Sequence, residues 1–287
     1  MVVLLTGLLF IVFPATGFTS VGLKMAVLWN QTISYELVTI QKNRVGYDGL
    51  SFITHRGKKT INRAVINTIN FKKEALAIWK DFEKNPNQFS GTVISLADLI
   101  RHLEVVHDDG WGTSHMQKRD LLKIMAELEK QLQYVSWYGA YHRIRENSPN
   151  GNKAQKEFIS EFEKTRKQTI EYHELSHLVD ATNSGETVLE TGKSNLSGEL
   201  SEVRAFITEL AYGQNPADTL WQMVAGVIDE INQGQNVDSS IFKMKLVLGE
   251  VQKRVPMQQT DNAITCLCGL SRQHSQEIAL ALYRQSE

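Results

Sequence analysis

The segment from Lys153 to Asp180 constrains the fold more than any other part of this chain. Its 28 residues contain neither proline nor glycine, and they follow Asn147-Ser148-Pro149-Asn150-Gly151-Asn152, whose turn-forming side chains mark a helix start. The spacing of its apolar residues then fixes which way the helix faces. Phe158, Ile159, Phe162, Thr169 and Ile170 fall on one arc of a 3.6-residue wheel, and His173, Ser176, His177 and Asp180 lie on or beside it. Such a helix packs against other elements along its length and carries two histidines inward.

Those histidines belong to His173-Glu174-Leu175-Ser176-His177. Residues four apart on a helix point the same way one turn apart, so both imidazoles can place a nitrogen on one metal ion. Glu174, between them, sits beside the same face, where its carboxylate reaches a metal-bound water. The pattern reads as a metallohydrolase site. Two core histidines satisfied by ordinary hydrogen bonds would produce the same wheel.

A zinc site needs a third protein ligand, and the helix expected over Ser197 to Leu210 offers two. Leu200, Val203, Phe206, Ile207 and Leu210 form its apolar face, Glu202 flanks that face, and Ala205 is small enough to admit a close neighbour. Glu199 lies nearer the middle of the apolar arc, but in the first turn, where the helix dipole favours any carboxylate. By position alone either serves, and Glu186 and Glu190 come next.

HExxH on one helix with Glu-x-x-Ala on the next resembles the gluzincin clan of zinc metallopeptidases. The likeness covers Ile170 to Leu210. It implies that Glu202, in Glu202-Val203-Arg204-Ala205, is the third zinc ligand, 25 positions after His177, with Glu199 in reserve. It also implies that Asp180, three residues after His177, accepts a hydrogen bond from a ligating imidazole. Glu171, two positions before His173, departs from the usual avoidance of charge near the motif. No third histidine follows His177 at metzincin spacing, and no HxxEH occurs. The chemistry implied is zinc-dependent hydrolysis of a peptide or protein substrate, with Glu174 as the base. Tyr212 and His142 are the candidates for donating to the oxyanion. Two other classes fit the same residues: a zinc-binding protein that cuts nothing, and a helical interaction protein in which the motif is ornamental.

With 42% hydrophobic residues, 22% charged and a net charge of −1, nothing in bulk attracts nucleic acid or acidic lipid. The basic run His55-Arg56-Gly57-Lys58-Lys59 reads as a solvated loop. Met1 to Leu23 is unlike the rest: it has no charged side chain, its apolar run Val2 to Phe13 ends at Pro14, and Ala15-Thr16-Gly17 suits cleavage before Phe18. Residues 1–24 are therefore expected to be a signal peptide or membrane anchor, and residues 25–287 a single metallopeptidase-like domain that is secreted, periplasmic or membrane-tethered. A start at Met25 is the third reading. Cys266 and Cys268 flank one residue, too short a loop for an unstrained disulfide, and read as buried core residues.

The fold expected is α+β and predominantly helical, a small N-terminal hairpin or sheet followed by a zincin-like helical core. Thr32 to Ile40 alternates and Leu50 to Thr54 is a second strand candidate. Helices are expected at Lys72 to Glu83, Leu96 to Val106, Met116 to Glu146, the two motif segments, Ala217 to Asn232, Ile241 to Arg254 and Ser271 to Gln285. The loop from His107 to His115 is polar and glycine-rich and reads as a surface connection or a cleft wall.

Overall fold

Two antiparallel hairpins joined through a parallel seam make the N-terminal layer of the protein. The computed structural model describes residues 18–41, 48–56, 59–85, 95, 97–98, 100–101, 115–148, 150–184, 198–233, 238–254 and 270–285. Strands β1 (Phe18–Leu28) and β2 (Gln31–Ile40) form one hairpin, and β3 (Gly49–Arg56) and β4 (Lys59–Asn67) the other. The order is β1-β2-β4-β3, with β2 and β4 parallel. Leu28 pairs with Gln31, leaving the two-residue turn Trp29-Asn30 with φ of 50° and 64°. Positive φ at both positions is the type I′ geometry that matches strand twist. A tryptophan there is strained, and its contacts hold it in place: the ring stacks on Tyr283 at 4.2 Å, and its indole N–H donates to Thr208 Oγ1 at 3.1 Å.

The strands expected from Thr32 and Leu50 fall within β2 and β3 and belong to one sheet rather than to a hairpin of their own, with β4 between them. Phe18 to Lys24, the end of the stretch expected as a leader or anchor, lie in β1 and pair with β2 from Ile40 to Tyr35. Residues 1–17 lie outside the described residues. Among those described, no helix is long and apolar enough to cross a membrane. Of the basic run from His55 to Lys59, His55 and Arg56 end β3 and Lys59 opens β4, while Gly57 and Lys58 lie outside the described residues.

Seven helices are described in full: α1 (Phe71–Lys84), α2 (His115–Asn147), α3 (Gly151–Ser184), α4 (Gly198–Tyr212), α5 (Pro216–Gln233), α6 (Asp238–Arg254) and α7 (Arg272–Gln285). Each lies within a few residues of its expected bounds. Of the helix expected at Leu96 to Val106, the four residues described are helical, with Ser95 Oγ accepting from the Asp98 amide. The protein is α+β and mainly α.

The 34-residue helix α3 is the axis of the molecule. Its apolar stripe lies under the sheet, against β3 and β4, and it also touches α1, α2 and α4. Leu28, Ile33, Leu37, Ile53, Ala64 and Ile66 point from the sheet into this core. At the other end Trp79 and Phe82 of α1, Trp137 and Tyr141 of α2, and Phe158 and Phe162 of α3 make one aromatic cluster. Phe158 and Phe162 are fully buried, and truncating either to alanine would cost about 3–5 kcal/mol. That packing fixes α3, so residues three turns further along are held in register with both the sheet and α4.

Candidate metal centre

α3 brings His173 and His177 to the side that faces α4, with their rings 4.9 Å apart. On α4, Glu202 extends one carboxylate oxygen toward each ring: Oε2 lies 3.4 Å from His173 Nε2, and Oε1 lies 3.4 Å from His177 Nε2. These are loose for a charge-assisted hydrogen bond, which closes to about 2.7–2.9 Å. They match another geometry: ligands held at about 2.0–2.1 Å from zinc at tetrahedral corners are separated by about 3.4 Å. His173, His177 and Glu202 are the group among the described residues whose ligand atoms gather within 4.8 Å of one another.

The far side of each ring is also committed. His173 Nδ1 lies 2.6 Å from Glu209 Oε1, and His177 Nδ1 lies 2.8 Å from Ser201 Oγ. With Nδ1–H donating outward, each Nε2 is the nitrogen left to face Glu202, as a donor to the carboxylate while it carries a proton and as the lone pair a metal requires once it does not. Ser201 in turn donates to Asp180 Oδ2 at 3.4 Å, and Arg204 donates to Asp180 Oδ1 at 3.1 Å. Asp180 thus reaches His177 through a serine hydroxyl rather than directly.

Electrostatics follow from this crowding of carboxylates. Burial alone would pull the His173 imidazole down, but Glu202 and Glu209 together hold it well above the ordinary histidine value. Burial pushes Glu202 up, and the two imidazoles overcome that and hold it far below the usual carboxylate range. Glu209 is raised, because its complete burial outweighs His173. The site binds positive charge strongly, as a proton or as a metal ion.

Glu174, between the two histidines on α3, packs under the sheet while its carboxylate stays within electrostatic reach of both imidazoles and of Glu202. It is 5% exposed, and its carboxylate takes a hydrogen bond from Ser51 of β3 and covers the backbone at Gly49. A Cβ at Gly49 would overlap that carboxylate and come within 2.7 Å of Ile170 Cγ2, so only glycine lets β3 approach α3 this closely. Burial raises the Glu174 carboxyl despite both histidines and Ser51, which suits a group that must take up a proton.

Some expected residues do not come to the site. Tyr212, ten residues beyond Glu202 on the same helix, is about 15 Å further along the axis. Its hydroxyl accepts from the Trp29 amide at 3.0 Å, and its ring packs on Trp29 and Tyr172. His142 is exposed on α2 beside Tyr138, in a stretch facing Glu161 of α3, three turns before His173. Glu199 lies in the first turn of α4, its side chain outside the described residues, as are Glu186, Glu190, Cys266, Cys268 and the loop before His115. Conversely, Glu209, Ser201 and Gly49 went unread. Glu209 had a signal: it is seven residues after Glu202, two turns on, and so on the same face.

Comparison with protein-family models, with curated proteins and with solved structures finds no match for this chain. The site is read from its own geometry.

Proposed function

We propose that the protein is a zinc-dependent hydrolase of peptide bonds, in the manner of the gluzincins that its motif residues resemble. The observation that carries this reading is the convergence of His173, His177 and Glu202, each Nε2 3.4 Å from a Glu202 oxygen and the three ligand atoms within 4.8 Å of one another, with Glu174 one residue from His173 on the same helix. The three side chains would hold the ion, and Glu209 and Ser201 would hold the rings. Bound there, zinc supplies a Lewis acid that polarises the scissile carbonyl and lowers the pKa of water. Glu174 takes up the proton released at the site and returns it to the leaving amine; its burial favours the protonated form it must pass through. The charge-free stretch from Met1 to Leu23 supports export or a membrane tether.

A zinc protein that does not cut is the second reading, favoured by the depth of Glu174 beneath β3. Metal analysis and turnover of a peptide library, run on wild type, His173→Ala and Glu174→Gln, separate the readings. The expected result is one zinc per wild-type chain, none in His173→Ala, and zinc without turnover in Glu174→Gln. Zinc retained in full by His173→Ala and His177→Ala would sink the site; zinc without any wild-type turnover would leave the non-catalytic reading.

A further inference from the structure

The sheet ends on one side in an unusually apolar strand. Leu23, Met25 and Val27 of β1 are 80%, 74% and 64% exposed, alternate residues on one face. Among the described residues β1 pairs with β2 alone, so its other backbone edge carries unsatisfied amides and carbonyls. Lys24 to Val27 also form a wall of a cavity of about 280 Å³, with Gln168, Glu171 and Tyr172 opposite. A long edge with an apolar row and no proline is what soluble proteins ordinarily avoid, unless something pairs with it. The usual remedy, an inward charge, is already used. The Lys24 ammonium turns beneath the strand and bonds both Glu171 oxygens at 2.7 and 3.0 Å, and Tyr35 donates to the same carboxylate.

The pattern of the row says what covers it. Read in either direction from Met25, the exposed face presents one branched aliphatic residue, Val27 or Leu23. An antiparallel copy of the same strand, with the two-fold axis at Met25, therefore sets Leu23 against the second copy's Val27 on both sides and Met25 against Met25 at the centre. The inner face is compatible in the same register: each Lys24 falls opposite Ala26, so no like charges meet. The one irregularity in the strand, between Phe18 and Ser20, lies outside the part that would pair. We propose that β1 is a self-association edge, through which two copies of this chain join into one continuous eight-stranded sheet. A copy of this strand pairs the free backbone edge and sets an apolar neighbour beside each residue of the row, whereas a lipid surface would leave the amides and carbonyls unpaired.

The test is the mass of the full chain in solution by sedimentation equilibrium, with circular dichroism as a control that each variant folds. Wild type is expected to be a dimer. Met25→Lys places two ammonium groups together on the axis and should give a monomer with an unchanged spectrum. A charge swap checks the register: L23E/V27K puts opposite charges across the seam and should stay dimeric, whereas L23K/V27K should not. A monomeric wild type overturns the proposal, and if that monomer floats with phosphatidylcholine vesicles the row is a membrane contact instead. A dimer that survives both Met25→Lys and L23K/V27K overturns it as well. None of these residues touches the metal centre, so the outcome does not depend on whether the protein is a hydrolase.

Discussion

Two buried clusters of charge sit two turns apart on α3, and they are built on opposite principles. Around Arg166, which is 4% exposed, stand Asp218 at 3.6 Å and Asp48 and Glu74 at 4.0 Å, with Gln222 accepting at 3.0 Å. Asp218 is wholly buried and also accepts from the Trp137 indole at 2.9 Å. This cluster brings its own fixed cation. The second gathers Glu202, Glu209, Glu174 and Asp180 around two imidazoles, and its one permanent cation, Arg204, is spent on Asp180. The first pairs its carboxylates with that one guanidinium yet is not closed in hydrogen bonds: among the described residues, Arg166 Nε, Asp218 Oδ2 and Glu74 Oε2 have no hydrogen-bond partner. The second has its outward ring nitrogens bonded and its inward ones turned to a common point. A structural ion pair and a metal-type centre are thus told apart by where the positive charge comes from.

The largest effect should come from the fixed cation. Arg166→Met strips the charge from a site holding a fully buried Asp218, and breaking such a pair costs about 3–5 kcal/mol. Denaturant midpoints measure it. The double variant R166M/D218L should recover most of the loss, since an apolar pair of similar volume tolerates the same burial. A loss in Arg166→Met of less than about 1 kcal/mol would mean that Asp218 is neutral as it stands, and the contrast between the clusters would fail.

The second cluster should respond to added metal and the first should not. With zinc in excess of its dissociation constant by about a hundredfold to a thousandfold, the wild type should gain about 3–4 kcal/mol over the chelated protein. Glu202→Ala should remove that gain, whereas R166M/D218L should keep it. Thermal melts with and without chelator read the difference directly. If Glu202→Ala keeps the gain, the third ligand lies elsewhere, and Glu199 is the first variant to make.

Gly49→Ala sharpens the comparison from the sheet side. The new methyl displaces the Glu174 carboxylate and costs about 1–3 kcal/mol by overpacking. Zinc content should be unchanged and peptide turnover lost, because the base moves and the ligands do not. Loss of zinc would mean that β3 positions the whole motif rather than Glu174.

What the sequence disclosed tracks how local each signal is. The helices were legible because period and caps lie within one segment, and His173, Glu174 and His177 because a motif is contiguous. Glu202 needed one long-range step, supplied by a resemblance. β1 was hidden inside a charge-free stretch read as a leader, and β4 behind the basic run from His55 to Lys59. The sheet order could not be read at all, since placing β4 between β2 and β3 depends on pairings across the chain. Tyr212 is a candidate by chemistry alone, and its packing on Trp29 and Tyr172 depends on other elements of the fold. Gly49 and Ser201 have no local signature: each matters only because of what another element places beside it.

The smallest effects should separate the two ring supports. Glu209→Gln keeps an oxygen near His173 Nδ1 but removes the charge, and losses of this kind weaken metal affinity about 10–100-fold. Ser201→Ala leaves His177 Nδ1 without its acceptor, yet Asp180 stays anchored by Arg204 and a water can take the hydroxyl's place, so the loss should sit near or below the lower end of that range. Asp180→Asn should do least, because the Ser201 oxygen still accepts from the ring and only the group behind it changes. Competition titrations of zinc against a chelator rank the three in one buffer. The order Glu209→Gln, Ser201→Ala, Asp180→Asn follows from a direct carboxylate contact, a direct hydroxyl contact and an indirect one. An Asp180→Asn defect larger than that of Ser201→Ala would mean that the carboxylate reaches His177 itself once metal is bound, and that the serine fills that place only in the metal-free arrangement.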